Sequence, residues 1–451
     1  MSLKRVLTLR TVVATSAGLT LATSTFVAAV QVAGFLAGNS AWVAILVGGC
    51  LCLLAALCFS ELNGQLPSAA GIRLYFSCAF NDQLALTVSI LYMVVIMGVV
   101  GAESFVLASV LSHSLPLFPP LFWIILMFLT VTALNIRGIK IAGTFQDIIT
   151  YGLISSLVLL SLLAFQRTNW EPASLFVIGG SGGLIQAIAV GIFLFVGFEW
   201  VTPLAEEVTD SRLVSRGMLI AVGLLSITYA LFTVAMTVSV PKEILANSPV
   251  PQVIFAQSVL GKFGLAWVVI LSLAASITTF NAGLLSVSRF VYATAREHAL
   301  PAVFSRISMR YYTPWVAILT VFVVGLGISI TVLLTRKYLV LVNMAAAMES
   351  IVYVLAGLAV FSLRKKNPAA KRPYAAPGGP LVPLLTAVIF AVLVSAVFVT
   401  DFWAGLFIGI ALLVCWWYVR TVVPALKQRH QARRQAARRR PVAEKPDPGG
   451  L

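Results

Sequence analysis

The chain has 451 residues, of which 60% are hydrophobic and only 10% charged, and its mean hydropathy is +1.00. A soluble chain of this length needs far more charge to cover its surface, so a soluble globular protein is excluded. The formal net charge of +16 does not point to nucleic acid, because the basic residues lie between apolar runs and in the stretch "KQRHQARRQAARRR", Lys427 to Arg440. That stretch suits water or anionic lipid headgroups.

Apolar runs of about 20 residues, enough to cross a ~30 Å hydrocarbon core, recur along the whole chain. They predict twelve helical spans, at roughly 11–36, 41–62, 84–111, 119–135, 146–166, 181–205, 214–240, 263–294, 314–335, 339–363, 379–399 and 402–424. Helices are required because backbone facing lipid must satisfy its own hydrogen bonds, and closed barrels show short alternating strands instead. The basic, then apolar N-terminus continues to about Leu36 without a cleavage site, so it reads as the first span. With the N-terminus in the cytoplasm, only Arg167, Lys242, Lys262, Arg336 and Lys337 of the 31 Lys and Arg fall outside. Both termini are therefore expected in the cytoplasm, with the chain in the cytoplasmic membrane. The connection from Pro241 to Phe263 fits a short capping helix or an ordinary loop.

Enzyme chemistry finds no support. Cys50, Cys52, Cys58, Cys78 and Cys415 lack metal-ligand spacing and read as small hydrophobes. His113, His298 and His430 fall in loops or the tail, and no nucleophile elbow or phosphate loop is present. No cofactor or metal is expected.

Two spans carry the chemistry of a broken helix. "SAGLTLATSTF", Ser16 to Phe26, sets Gly18, Thr20, Thr23, Ser24 and Thr25 in the middle of span one. Short hydroxyls can re-satisfy freed amides, although small residues equally suit helix packing. "FLFVGFEWVTPLAEEV", Phe193 to Val208, sets Val196, Gly197 and Glu199 among aromatics in span six. Substrate sites of transporters lie on such discontinuous helices near the midplane. Spans one and six stand five apart, the placement of corresponding helices in a five-plus-five inverted repeat.

Glu103, Glu199 and Glu349 lie within spans three, six and ten, with no Lys or Arg at their depth. A carboxylate there costs several kcal/mol unless paired, hydrated or protonated. Facing one cavity, the three would need a cation among them or a proton on one. Phe195, Phe198 and Trp200 could gate that cavity, cover an amine by cation–π contact, or simply pack. Glu206 and Glu207 are expected to cap the span or pair with loop arginines.

These segments together resemble the amino acid–polyamine–organocation (APC) superfamily of secondary transporters, amino acid permease type, over nearly the whole chain. "FLFVGFEWVTPLAEEV" is similar to the family's sixth helix, and "NAGLLSVSRFVYATAREHALP", Asn281 to Pro301, to its eighth helix and exit. "LNIRGIKIAGTFQ", Leu134 to Gln146, and "ELNGQLPSAAGIRLYF", Glu61 to Phe76, resemble the start of helix five and the segment after helix two. The resemblance implies an all-α polytopic membrane protein with a leucine-transporter-type inverted-repeat core and helices one and six unwound. It implies a ten-helix core at 1–363, helices eleven and twelve with their basic loop at 364–424, and a basic tail at 425–451. It also implies alternating access for an amino acid or related amine, whose carboxylate meets unwound helix one and whose amine meets unwound helix six. The cargo is expected to be cationic or zwitterionic. Proton-coupled uptake of a neutral amino acid is the alternative, and a non-transporting membrane sensor a minor one.

Two departures from the family pattern bear on mechanism. Ala22, Thr23 and Ser24 stand where a Gly-Ser-Gly break is usual. No lysine stands in span five, whose counterpart position falls near Gly152–Leu153, so a lysine-based proton switch is not expected. Exchange, another protonatable group or a sodium ion remains, and Ser276, Thr278, Thr279 and Asn281 are the candidates for a sodium site against span one.

Overall fold

In hydrocarbon every backbone N–H and C=O must be satisfied within the chain, and helices do this locally. The computed structural model describes residues 3–22, 34, 36–114, 117–168, 181–241, 244 and 251–438, and no strand occurs among them. In chain order the helices are α1 (Leu9–Thr20), α2 (Ala41–Gln65), α3 (Ile72–Ala79), α4 (Asp82–Ser114), α5 (Pro120–Arg137) and α6 (Ile139–Arg167). Then come α7 (Ser181–Phe193), a 3-10 segment at Phe198–Glu206, α8 (Arg212–Ser239), α9 (Pro251–Leu260) and α10 (Gly264–Arg296). The chain ends with α11 (Trp315–Thr335), α12 (Tyr338–Lys366), α13 (Leu381–Thr400) and α14 (Phe402–Arg438).

Eleven helical segments among the described residues are long and apolar enough to cross a membrane. They correspond to the second through twelfth expected spans. Of the first, α1 covers 12 residues and stops at Thr20. Thr23, Ser24 and Thr25 lie outside the described residues. Span five starts earlier than its apolar run, because Gly138 (φ 137°) turns the chain and α6 begins at the next residue. The connection before span eight contains a short helix, α9, and is not loop throughout. The amphipathic helix α3, absent from the expected spans, follows a turn at Gly71.

α1 occupies the centre, packed against α6, α8, α10 and the 3-10 segment. α2 and α7 approach backbone to backbone: a Cβ on Gly48 would lie 2.7 Å from the Gly191 carbonyl carbon. Small residues permit such contacts between membrane helices. α13 and α14 lie at the periphery, where Val388, Val392, Leu413 and Trp417 stay exposed, as lipid-facing residues would.

One end of the bundle is tied by charge. Arg364 donates to both oxygens of Glu61, at 2.9 and 2.6 Å, and the Ala376 N–H adds a third bond to that buried carboxylate. Arg73 pairs with Asp82 and Glu297, Lys427 pairs with Asp82, and Arg296 pairs with Glu206. The extended N-terminal segment joins the same end, as the N–H groups of Val6 and Leu7 donate to the Glu207 carbonyl. The partner of the Glu207 carboxylate is not a loop arginine. It is Arg289, inside α10, at 2.7 Å with both side chains fully buried.

Removing one member of such a pair leaves the other charged and desolvated. Arg289→Met is expected to cost about 3–5 kcal/mol, read as a lower unfolding midpoint of the detergent-purified protein. The double variant Arg289→Met/Glu207→Leu recovers most of that loss; a single variant as stable as the parent contradicts this account.

Candidate functional site

Span six stops being an α-helix at Phe193. From there the chain turns through short-range bonds, Leu194 N–H to Gly191 O and Phe195 N–H to Ile192 O, at 3.2 and 3.1 Å. Gly197 then adopts φ 104°, a conformation side chains disfavour. The 3-10 segment that follows contains Pro203, which cannot donate to a helix ladder. The Gly197 N–H, freed by the turn, donates to the Tyr353 hydroxyl at 3.2 Å.

That hydroxyl in turn donates to Glu199 Oε2 at 2.6 Å, and Tyr92 from α4 donates to Oε1. Glu199 is fully buried, so it does not face lipid; two tyrosines and its own broken helix surround it. Glu349 lies one helical turn before Tyr353, on the same face of α12. It is buried, within electrostatic reach of Glu199, and its Oε2 has no hydrogen-bond partner among the described residues. Cys52 of α2 closes another side, its thiol 3.5 Å from the Ile192 carbonyl.

The aromatics of the motif pack inward. Phe198 meets Tyr353 at 5.4 Å between ring centroids, Trp200 meets Tyr92 at 4.6 Å, and Phe195 meets Tyr229 at 5.7 Å. Val196 is partly buried against the same core. Tyr92 and Tyr353 were not singled out from the sequence. The spacing of Tyr353 from Glu349 was the one available signal.

The end of α1 forms a second polar centre. Its last carbonyls are capped by other helices: the Gly18 oxygen accepts from Thr279 at 3.0 Å, and the Thr20 oxygen from Tyr229 at 3.1 Å. The Thr20 hydroxyl bonds back to the Ala17 carbonyl, and Ala22 is buried. Ser16 ties α1 to the break in span six through the Phe198 carbonyl, at 2.8 Å.

Beneath Gly18 lies a network from α5, α6 and α10. Gln146 Nε2 sits 2.5 Å from Thr278 Oγ1, 3.0 Å from Thr150 Oγ1 and 3.2 Å from the Ala14 carbonyl. Its Oε1 accepts from Asn281 Nδ2 at 2.8 Å, and Asn281 Oδ1 accepts from Asn135 at 2.7 Å. Gln146 and Thr150 of α6 thus reach the α1 junction beneath Gly18, while Asp147 and Tyr151 bond α1 nearer its start, at Thr11 and the Arg10 carbonyl. At Gly152 itself a Cβ would meet nothing within 4 Å, whereas the neighbouring Leu153 is buried.

The expected sodium-site residues divide between these networks. Thr278, Thr279 and Asn281 belong to the α1 junction, whereas Ser276 donates to Glu103 Oε1 at 2.9 Å. The three acids do not form one group. Glu103 lies on α4 eleven residues beyond Tyr92, about 16 Å along the helix axis, while Glu199 and Glu349 stand together.

Comparison with known proteins places this geometry in a family. The profile described as amino acid permease matches residues 7–421. The chain is 25% identical to the methylthioribose transporter of Bacillus subtilis (strain 168), over 82% of this chain and 83% of that protein. It is 27% identical to the human Asc-type amino acid transporter 1, over 80% and 70% of the two chains. Against the branched-chain amino acid permease BcaP of Bacillus subtilis it is 24% identical, over 78% and 80%. The chain belongs to the amino acid permease family, as its motifs implied, and is a multi-pass membrane transporter rather than an enzyme.

Proposed function

We propose that this secondary transporter carries an amino acid or related amine by alternating access, and that the cargo's ammonium group is recognised at the break in span six. The observation that carries this reading is the paired burial of Glu199 and Glu349 with one carboxylate oxygen unpartnered. Two buried carboxylates without a base between them require a cation or a proton. The relatives' names bring amino acids and methylthioribose to this chain as cargo classes, and the two acids favour the class that bears an amine. The cargo's carboxylate would be met by the N–H groups and hydroxyls of Thr23, Ser24 and Thr25, which follow α1 in the sequence, and not by the carbonyls that end α1, which favour cations. Glu103 has a separate, positioning role through Ser276.

In this reading the chain has twelve spans, with α1 continuing as the first, arranged as a five-plus-five inverted repeat about the two breaks. The end rich in ion pairs faces the cytoplasm with both termini, in keeping with its excess of Lys and Arg. The cargo core ends near residue 363, and 364–424 and 425–451 form its flanking pair of spans and its tail.

A second reading uses the same pair as a proton seat, with Glu349 Oε2 the atom that takes the proton and a neutral amino acid as cargo. Sodium coupling at α10 is less favoured. The Gln146 amide already donates into the junction there and takes lone pairs that a cation would need.

Reconstituted in liposomes, the protein is expected to give saturable uptake of labelled arginine, putrescine or a zwitterionic amino acid; transport confined to acidic amino acids or to methylthioribose overturns the amine reading. An imposed pH gradient separates the two mechanisms. Acceleration by an inward proton gradient supports the proton seat, and strong counterflow without a pH response supports exchange.

Glu199→Gln keeps the shape but removes the charge, and is expected to slow transport at least about tenfold, the equivalent of ~1.4 kcal/mol, in a protein that still inserts and folds. Near-normal transport would leave Glu199 a purely supporting group. Gly18→Ala tests the second centre, because its Cβ would come 2.0 Å from Gln146 Nε2 and 2.6 Å from Thr278 Oγ1. Crowding of that kind costs about 1–3 kcal/mol, so the unfolding midpoint should fall. An unchanged midpoint would mean that the junction is loosely packed.

A further inference from the structure

A groove of about 1140 Å³ runs between α11, α12 and α14, away from both polar centres. Ile328 and Val332 of α11, Leu341 and Met344 of α12, and Phe407 of α14 make its walls apolar. Its mouth is different. Arg336 and Lys337, the two residues joining α11 to α12, stand there beside Trp403. Arg336 ends α11 in the left-handed region, φ 57°, with its N–H on the Val332 carbonyl. Side chains rarely adopt this conformation, and here it sets two exposed cations side by side at the mouth.

No ion pair reaches either cation among the described residues. Asp401, at the same end of α14, is engaged elsewhere: it accepts from Asn343 at 2.7 Å and from the Ala404 N–H at 3.0 Å. Those bonds hold its carboxyl below the usual carboxylate range and commit it to Asn343 and the start of α14. Both cations also belong to the few Lys and Arg on the sparsely charged side of the sequence, where positive charge is disfavoured.

We propose that this groove is a binding site for an anionic phospholipid, with an acyl chain along α11, α12 and α14 and the phosphate at Arg336 and Lys337. Basic pockets between membrane helices recognise anionic headgroups by direct attraction at the headgroup level, and a tryptophan at that depth anchors the interface. The claim is one of selectivity, and the molecule carries its own control. A second groove, of about 910 Å³ and lined by residues such as Phe398, Leu406 and Trp416, has no charged residue in its lining. It can take an acyl chain without choosing a headgroup.

The test adds phosphatidylglycerol or phosphatidylcholine of the same chain length to delipidated, detergent-purified full-length protein and follows thermal unfolding. A ligand of the folded state raises the midpoint with occupancy. Phosphatidylglycerol is expected to raise it by a few degrees more than phosphatidylcholine, and R336Q/K337Q to lose that excess while keeping the phosphatidylcholine shift. Equal shifts in the parent protein, or an excess that survives in R336Q/K337Q, overturn the proposal. Gly327 lines the groove, and a Cβ on it would meet nothing within 4 Å, so a G327F side chain starts in open space and is expected to occupy the groove. This variant is expected to reduce the phosphatidylglycerol excess even if R336Q/K337Q fails to fold, and an undiminished excess counts against the site. Native mass spectrometry should find a phospholipid-sized mass retained per chain. A lipid-free dimer that G327F dissociates would assign the groove to a second copy and overturn the lipid assignment.

Discussion

The Glu199 carboxylate, clamped between Tyr92 and Tyr353, is the interaction on which the arrangement of the core turns. A buried carboxylate needs donors, and a continuous α-helix in span six would give its N–H groups to its own turn. Breaking the helix at Gly197 frees a backbone donor and brings the acid between α4 and α12. Tyr353 then serves both sides of the break, accepting from Gly197 and donating to Glu199. The glycine, the acid and the tyrosine are therefore one device. None of the three has a role there without the others.

The end of α1 solves the same problem with different partners. Its unsatisfied carbonyls receive a threonine from α10 and a tyrosine from α8, while Gln146 binds an inner carbonyl from α6. Gly18 is required by proximity rather than by backbone angle, because the amide of Gln146 occupies the space a side chain would take. The two breaks are joined directly by Ser16, whose hydroxyl bridges α1 to the Phe198 carbonyl. Leu19 of α1 also packs against Gly197, so the two breaks share both a hydrogen bond and an apolar contact.

Much of this was legible in the sequence, and the part that was not has a physical reason. Apolar runs located the eleven spans because length against bilayer thickness is a one-dimensional property. Gly197 and Glu199 declared the break locally, since an acid two residues from a glycine in an apolar run needs donors that an intact helix does not supply. What escaped was partnership. Nothing near Tyr92 or Asn135 marks it as a member of a polar cluster, for its partners lie more than 100 residues away. All three acids lie in apolar runs and a shared cavity was one option for them, but Glu103 bonds Ser276 well along α4 from the Tyr92 that holds Glu199, a separation that burial in an apolar run does not reveal. Nor did the sequence name the partner of Glu207: it is Arg289, within α10, and the paired Glu207 carboxylate makes the burial of that cation tolerable.

The distribution of these bonds also bears on how the transporter can move. The span-six segment is held to α4 and α12 by two tyrosyl hydroxyls, and to α1 by one serine. Its far end is locked to α10 by the Arg289–Glu207 pair and to the N-terminal segment by the Glu207 carbonyl. Separating this segment from α4 and α12 would strip the Glu199 carboxylate of both donors at once, and a buried carboxylate left without donors is costly. Under the proposed function, an arriving ammonium group or proton is the species that can take over that charge. Cargo and motion would then be coupled by the chemistry of one carboxylate: the tyrosines hold the segment in place when the site is empty, and release becomes possible only when something positive has replaced them.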